Sequence, residues 1–287
     1  MKIRGFFKRL TQAIFVDFFN TLRGETRKDL QADGHKSQYS RLHLAGNYTS
    51  WSEALADSTG YDAEIILKSA KDALLRVRKG EAVYERDTVL FDEIQYSWPL
   101  LAGLMWAAAD TGGALNVLDF GGSLGSTYFQ NRAFLAGLRE VRWNIVEQAL
   151  QVAVGKECFE DDQLKFYPDV DACTAATKPH VILLCSVLQY LPDPYDRLDQ
   201  LLSLPCEHLI IDRTPFWDGS TDRLCVQHVP SKIYSASYPS WIFSAEQFRS
   251  HFAANWELMA EFDNPDRLPG PIPFAYRGMI LHRRNAT

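Results

Sequence analysis

A chain of 287 residues, 46% apolar and 23% charged, can bury the core of one large domain or of a domain with an extension. Its formal net charge of -6 argues against a general nucleic-acid partner, which needs a basic face. Five cysteines, at 158, 173, 185, 206 and 225, form no Cys-x-x-Cys pair, so reduced thiols in a cytoplasmic compartment are expected and a metal site is not.

The first segment, residues 2–14, places Ile3, Phe6, Phe7, Leu10 and Ile14 on one helical arc and Lys2, Arg4, Lys8 and Arg9 on the other. This pattern suits peripheral contact with an anionic membrane surface, or equally a helix packed on its own domain. No apolar run reaches the roughly 18 residues of a membrane-spanning helix. Polar residues with Gly24 and Gly34 then read as a linker up to position 43.

From 44 to 113 the chain reads as a helical cap without a strand pattern. Ser50 and Glu53 have capping-box spacing. Residues 62–79 carry apolar side chains at helical spacing up to Gly80. Pro99 predicts a break near Ser97-Trp98 in the apolar run that follows.

The segment 114–287 reads as an α/β sheet domain. Asn116 to Asp119 is a buried strand, Gly121 to Gly125 a tight turn, and Ser126 onward a helix. Glycines there let the backbone bend sharply and let a ligand approach without an intervening Cβ. The spacing Asp-x-Gly-x-x-x-Gly departs from both the dinucleotide fingerprint and the P-loop. Asp119 would also repel a pyrophosphate at that turn, whereas the sulfonium and ammonium of S-adenosylmethionine tolerate it.

Val141 to Glu147 is the second strand, ending in an acid placed to accept the hydroxyls of a ribose. After the third strand, Leu164 to Tyr167, Asp169 is the first choice and Asp171 the second for contact with an adenine amino group. Strands four and five, 180–186 and 207–215, end in polar residues. Ser186, Gln189, Tyr190, Asp212, Arg213 and Thr214 therefore belong near the same cleft. Residues 216–243 read as a long aromatic lid containing His228, Tyr234 and Tyr238, and 256–283 as an antiparallel strand pair.

Together, Asp119-Phe-Gly-Gly-Ser-Leu-Gly125, the acid at 147 and Leu188-Gln-Tyr-Leu-Pro-Asp-Pro194 resemble class I S-adenosylmethionine-dependent methyltransferases. Gly46-Asn-Tyr, Glu85-Arg-Asp, Ile211-Asp-Arg-Thr-Pro215 and Ala236-Ser-Tyr-Pro-Ser-Trp241 resemble, more narrowly, a bacterial methyltransferase family of surface-polysaccharide gene clusters. The resemblance implies a Rossmann-like, seven-stranded, mostly parallel sheet. It also implies S-adenosylmethionine bound by Asp119, Gly121, Gly122, Ser123, Gly125, Glu147, Asp169 and Ser186. Ser123 stands where many members have glycine.

Methyl transfer to a small-molecule or glycan hydroxyl needs a base, for which His228 is the first candidate and Tyr190 and Asp212 the alternatives. Arg213, Tyr234 and Tyr238 are candidate acceptor contacts, although Arg213 could equally form a structural ion pair. Two other readings are a non-catalytic scaffold of the same fold and, less favoured by the glycine spacing, a nicotinamide-dependent sugar oxidoreductase.

Overall fold

The computed structural model describes residues 42–60, 63–86, 88–230, 236–252 and 254–284. The amphipathic segment 2–14 and Tyr234 lie outside them. Among the described residues no helix is long and apolar enough to cross a membrane.

The buried run at 114–120 forms β4 (Ala114–Phe120), flanked by parallel β5 (Glu140–Val146) and, beyond it, β6 (Leu164–Tyr167). On its other side lie β7 (Val181–Cys185) and then β8 (His208–Trp217), again parallel. β12 (Ala275–Arg283) pairs antiparallel with β8, and β11 (Trp256–Asp263) pairs antiparallel with β12. The order β6-β5-β4-β7-β8-β12-β11, with only β12 reversed, is the Rossmann-like sheet that the sequence implies.

Near-continuous apolar strands demand cover on both faces. One face receives α2 (Ala63–Arg78), α3 (Trp98–Asp110), α4 (Ser126–Leu135) and α5 (Ala149–Cys158), through Leu74, Leu104, Phe129 and Val152. The other receives α6 (Val170–Ala176), α7 (Pro194–Leu202) and α8 (Ala245–Ser250), through Cys173, Leu198 and Phe248. Gly103 shows how closely α3 approaches the sheet, since a Cβ there would lie 2.9 Å from Ile210 Cδ1.

The lead-in is not all helical. Besides α1 (Trp51–Ala56) and α2 it contains β1 (His43–Tyr48) and the small hairpin of β2 (Tyr84–Arg86) and β3 (Val89–Phe91). Ser50 caps α1 as expected, accepting from the Glu53 amide at 3.2 Å, while Glu53 reaches back to the amide of Thr49 at 2.9 Å. The break before Trp98 is present, with strand and coil rather than helix preceding it.

The expected 216–243 lid is mostly regular structure. β9 (Arg223–Val229) and β10 (Ala236–Ser244) pair antiparallel, and β1 joins the free edge of β9. Paired backbone groups, rather than a lone loop, thus carry the aromatic side chains of this segment.

Gly155 on α5 tests the fit of helix to sheet. An added Cβ would lie 2.4 Å from Cδ1 of Phe166, which has no exposure. Overpacking of about 1–3 kcal/mol outweighs the roughly 0.5–1 kcal/mol that alanine gains in a helix. Gly155→Ala should therefore lower the Tm in a thermal scan.

Candidate active site at the carboxyl ends of the strands

A cavity of about 950 Å³ lies where β4, β5, β7 and β8 end. Open parallel sheets bind ligands at these ends, and the volume is at the top of the range for small-molecule pockets. Left-handed backbone occurs at Gly121 (φ +73) after β4, at Ser186 (φ +55) after β7 and at Arg213 (φ +51) within β8. β8 pairs with β7 only as far as Asp212 and then, beyond Arg213, with β10 at Phe216 and Trp217. The divergence leaves the crevice that the cavity occupies.

Gly121, Gly122 and Ser123 form part of the cavity floor. A Cβ on Gly121 would lie 2.3 Å from Val187 Cγ2, and one on Gly122 would lie 2.4 Å from Asp119 Oδ2. Glycine is required at both places by contact with the protein itself. Gly125 (φ +101) precedes α4 and sits beneath the floor against Leu164 and Ile145.

Asp119 does not face the cavity. It has no exposure and lies under the turn, where Oδ2 accepts from Trp143 Nε1 at 2.8 Å and Oδ1 has no hydrogen-bond partner. Burial pushes its pKa up to about 7, with Trp143 opposing and the nearby Glu147 adding to the rise. Asp119 therefore supports the turn from below.

Glu147 follows β5 and lines the cavity. Its Oε1 accepts from the Ser123 amide at 3.2 Å and its Oε2 from the Gln148 amide at 2.8 Å. Each oxygen keeps accepting capacity after these bonds. Burial raises its pKa despite both amides. Asp169 also lines the cavity and caps α6, accepting from the Ala172 amide at 2.7 Å; Asp171 does not line it. Ser186 lines it and accepts from Gln189 Nε2 at 2.9 Å.

Asp212 is 1% exposed yet forms part of the wall. Its Oδ1 accepts from the Arg213 amide at 2.8 Å and from Asn264 Nδ2 at 3.1 Å, while Oδ2 has no hydrogen bond of normal geometry. Burial raises its pKa, opposed by the neighbouring Ser97 hydroxyl and by Arg213. Tyr190 donates to Gln227 Oε1 at 3.1 Å, and Gln227 Nε2 donates to the Tyr238 hydroxyl at 3.1 Å, so β9 and β10 are tied to the end of β7.

His228 does not reach this cavity. Side chains alternate along a strand; Gln227 and Val229 line the cavity, so His228 points to the opposite face and stacks on His43 at 4.9 Å. Arg213 is engaged by Asp266, with Nε 2.8 Å from Oδ2, and Asp266 also lies 3.4 Å from Arg86 Nη2. Burial disfavours the Asp266 carboxylate, but Arg213 and Arg86 together hold its pKa below the ordinary range. Arg213 thus forms a structural ion pair while also lining the cavity.

Several cavity residues were absent from the sequence assignment, notably Glu85, Gln227, Asn264 and Asp266. Glu85 is buried and accepts from Ser126 Oγ at 2.5 Å and from the Thr88 amide at 2.8 Å, linking the β2-β3 hairpin to the start of α4. Its position within Glu85-Arg-Asp was the one available signal.

No protein-family profile matches this chain, and no curated protein does. Among solved structures, the N-terminal domain of EvdMO1, studied with SAH and D-fucose, is similar at 12% identity over 78% of this chain and 98% of its own, with a TM-score of 0.46. An S-adenosylmethionine-dependent methyltransferase from Clostridium acetobutylicum ATCC 824 is similar at 9% identity over 66% and 92%, with a TM-score of 0.44. The mitomycin 7-O-methyltransferase MmcR is similar at 18% identity over 66% and 55%, with a TM-score of 0.40.

Asp119 makes stability depend on pH. Its folded pKa, about 7, lies above the ordinary 3.8, so its contribution is fully present below pH 3.8 and is lost as pH rises toward and through 7. Asp119→Asn removes that loss. The Tm of the variant should gain on wild type between pH 4 and pH 8, and a constant difference across that range would contradict the buried, proton-binding carboxylate.

Proposed function

We propose that the cavity binds S-adenosylmethionine and that the protein transfers its methyl group to a small-molecule hydroxyl, with a sugar of a surface-polysaccharide precursor as the acceptor. The observation that carries this reading is the shared floor of Glu147 and the glycine turn. A half-buried carboxylate at the tip of β5 is bound to the turn through the Ser123 amide, inside the cavity at the strand ends. The donor set fits the cofactor: Glu147 suits the paired hydroxyls of a ribose, and Gly121 and Gly122 leave the floor bare of side chains. The Glu147 carboxylate beside the turn suits a cationic ligand better than a pyrophosphate.

When bound, S-adenosylmethionine supplies a methyl group on a positively charged sulfur, open to in-line displacement by an acceptor oxygen. Asp212 is the proposed base. Its Oδ2, beside the Ser97 hydroxyl, would accept the proton of the acceptor hydroxyl as that oxygen is methylated. Gln227, Val229 and Tyr238 form a roof that excludes water, and Tyr190 fixes that roof through Gln227. At the mouth, Trp98 is 60% exposed and packs against Tyr96 and Phe134, offering apolar faces to a sugar ring.

Parallel calorimetric titrations with S-adenosylmethionine, S-adenosylhomocysteine and a nicotinamide dinucleotide test the cofactor. Binding of the first two alone is expected, and binding of the dinucleotide alone would overturn the reading. Glu147→Ala removes charge-assisted hydrogen bonds worth roughly 1.5–3 kcal/mol, so cofactor affinity should fall about ten- to hundredfold.

Asp212→Asn should retain the cofactor and lose about 10²–10⁴ in transfer rate, measured with labelled S-adenosylmethionine against nucleotide-linked and lipid-linked sugars. Because the base acts deprotonated and burial raises its pKa, kcat should fall as pH is lowered through a midpoint above the ordinary aspartate range. Full activity in Asp212→Asn would dismiss it as the base.

A further inference from the structure

At the other end of β8, remote from the cavity, three side chains with metal-ligating atoms meet. His208 opens β8, and the antiparallel register sets it directly opposite His282 of β12. Opposed residues on paired strands hold their Cβ atoms about 4.5–5.5 Å apart, and these two imidazoles have ring centroids 4.9 Å apart. Asp110, the last residue of α3, brings Oδ2 to 3.2 Å from His208 Nε2. One ligand atom from each of the three lies within 4.8 Å of the others.

His208 provides the independent observation. It is 1% exposed, yet neither ring nitrogen has a hydrogen-bond partner, because Asp110 stands at the right distance but off the hydrogen-bond direction. Leaving a buried polar group unsatisfied is costly. Trp106 packs edge-on against His208 at 4.8 Å and tilts over His282 at 5.3 Å, so the imidazoles are held in place by the same helix that supplies Asp110.

We propose that Asp110, His208 and His282 form a structural site for a zinc-class divalent cation. Two imidazole nitrogens and one carboxylate oxygen suit zinc, with water as a fourth ligand; magnesium and calcium prefer sets made of oxygen alone. Small side-chain rotations bring three donors spaced this closely to the 2.0–2.2 Å bond lengths of zinc, on the order of those found in such sites. The ion would fasten the C-terminus of α3 to β8 and β12. The opposite end of α3 contributes Trp98, Pro99 and Leu100 to the cavity wall, so the site steadies that wall from a distance.

The test uses untagged full-length protein freed of metal with a chelator, then titrated with ZnCl2 or MgCl2 and followed by calorimetry and thermal unfolding. Wild type should take up a single zinc ion. At free zinc about a hundredfold above its Kd, its Tm should rise by roughly 5–10 °C. Asp110→Asn, at a partly exposed position, should fold normally without metal, and both it and His282→Gln should bind zinc at least about tenfold more weakly. No zinc-dependent rise in wild type, an equal rise with magnesium, or an undiminished zinc response in both variants would overturn the proposal. The readout is stability, so it stands or falls separately from the methyl-transfer reading.

Discussion

Asp119 and the glycine turn determine each other's shape. The turn folds directly over the carboxylate, with no room for a Cβ on Gly122, and Trp143 of β5 donates to the oxygen nearest that glycine, Oδ2. A buried carboxyl with one hydrogen bond is expensive to ionise. The structure meets that cost partly through Trp143 and partly through a raised proton affinity. From this foundation the rest of the site follows in sequence. The turn presents the Ser123 amide, the amide orients Glu147, and Glu147 closes the floor beside the end of β5.

The roof is built on a different principle. Where the floor depends on close approach and buried charge, the roof depends on strand pairing and a chain of neutral hydrogen bonds from Tyr190 through Gln227 to Tyr238. Arg213 marks the junction between them. Its left-handed backbone directs β8 away from β7, and Asp266 holds its side chain. Strain of this kind persists only where surrounding contacts over-determine it, and Asp212, Asn264 and Asp266 supply those contacts.

The central sheet was legible because its signals are local: apolar runs, breaks at glycine, and acids at strand ends. Glu147, Asp169, Ser186, Tyr190 and Asp212 were placed at the cavity by one rule, that ligands sit at the carboxyl ends of parallel strands. Asp119 was found but given the wrong direction, since sequence does not reveal which side of a turn a carboxylate occupies. His228 failed by parity. Arg223 to Val229 is largely buried on both faces, so its composition shows no alternation from which to choose between Gln227 and His228. β1 was missed because its apolar content is slight and its reason for being a strand, the edge of β9, lies far along the chain. The Asp110–His208–His282 cluster was invisible for the same reason: cysteine spacing is a local pattern, whereas this cluster exists only through the register of β8 with β12.

The pairing of β1 with β9 also bears on how the chain is made. Translation delivers β1 early and β9 late, after the whole run from β4 to β8. Until then β1 has no partner, and its backbone groups are open to any exposed strand edge. The strands from β4 to β8, by contrast, can assemble progressively as neighbouring units emerge. The strands that carry the floor, β4 to β6, are thus available before the wall of β1 and β9, whose contact of long sequence separation slows folding, and β12 joins β8 after both. An emerging chain would thus possess the glycine turn and Glu147 well before it possessed an enclosed cavity.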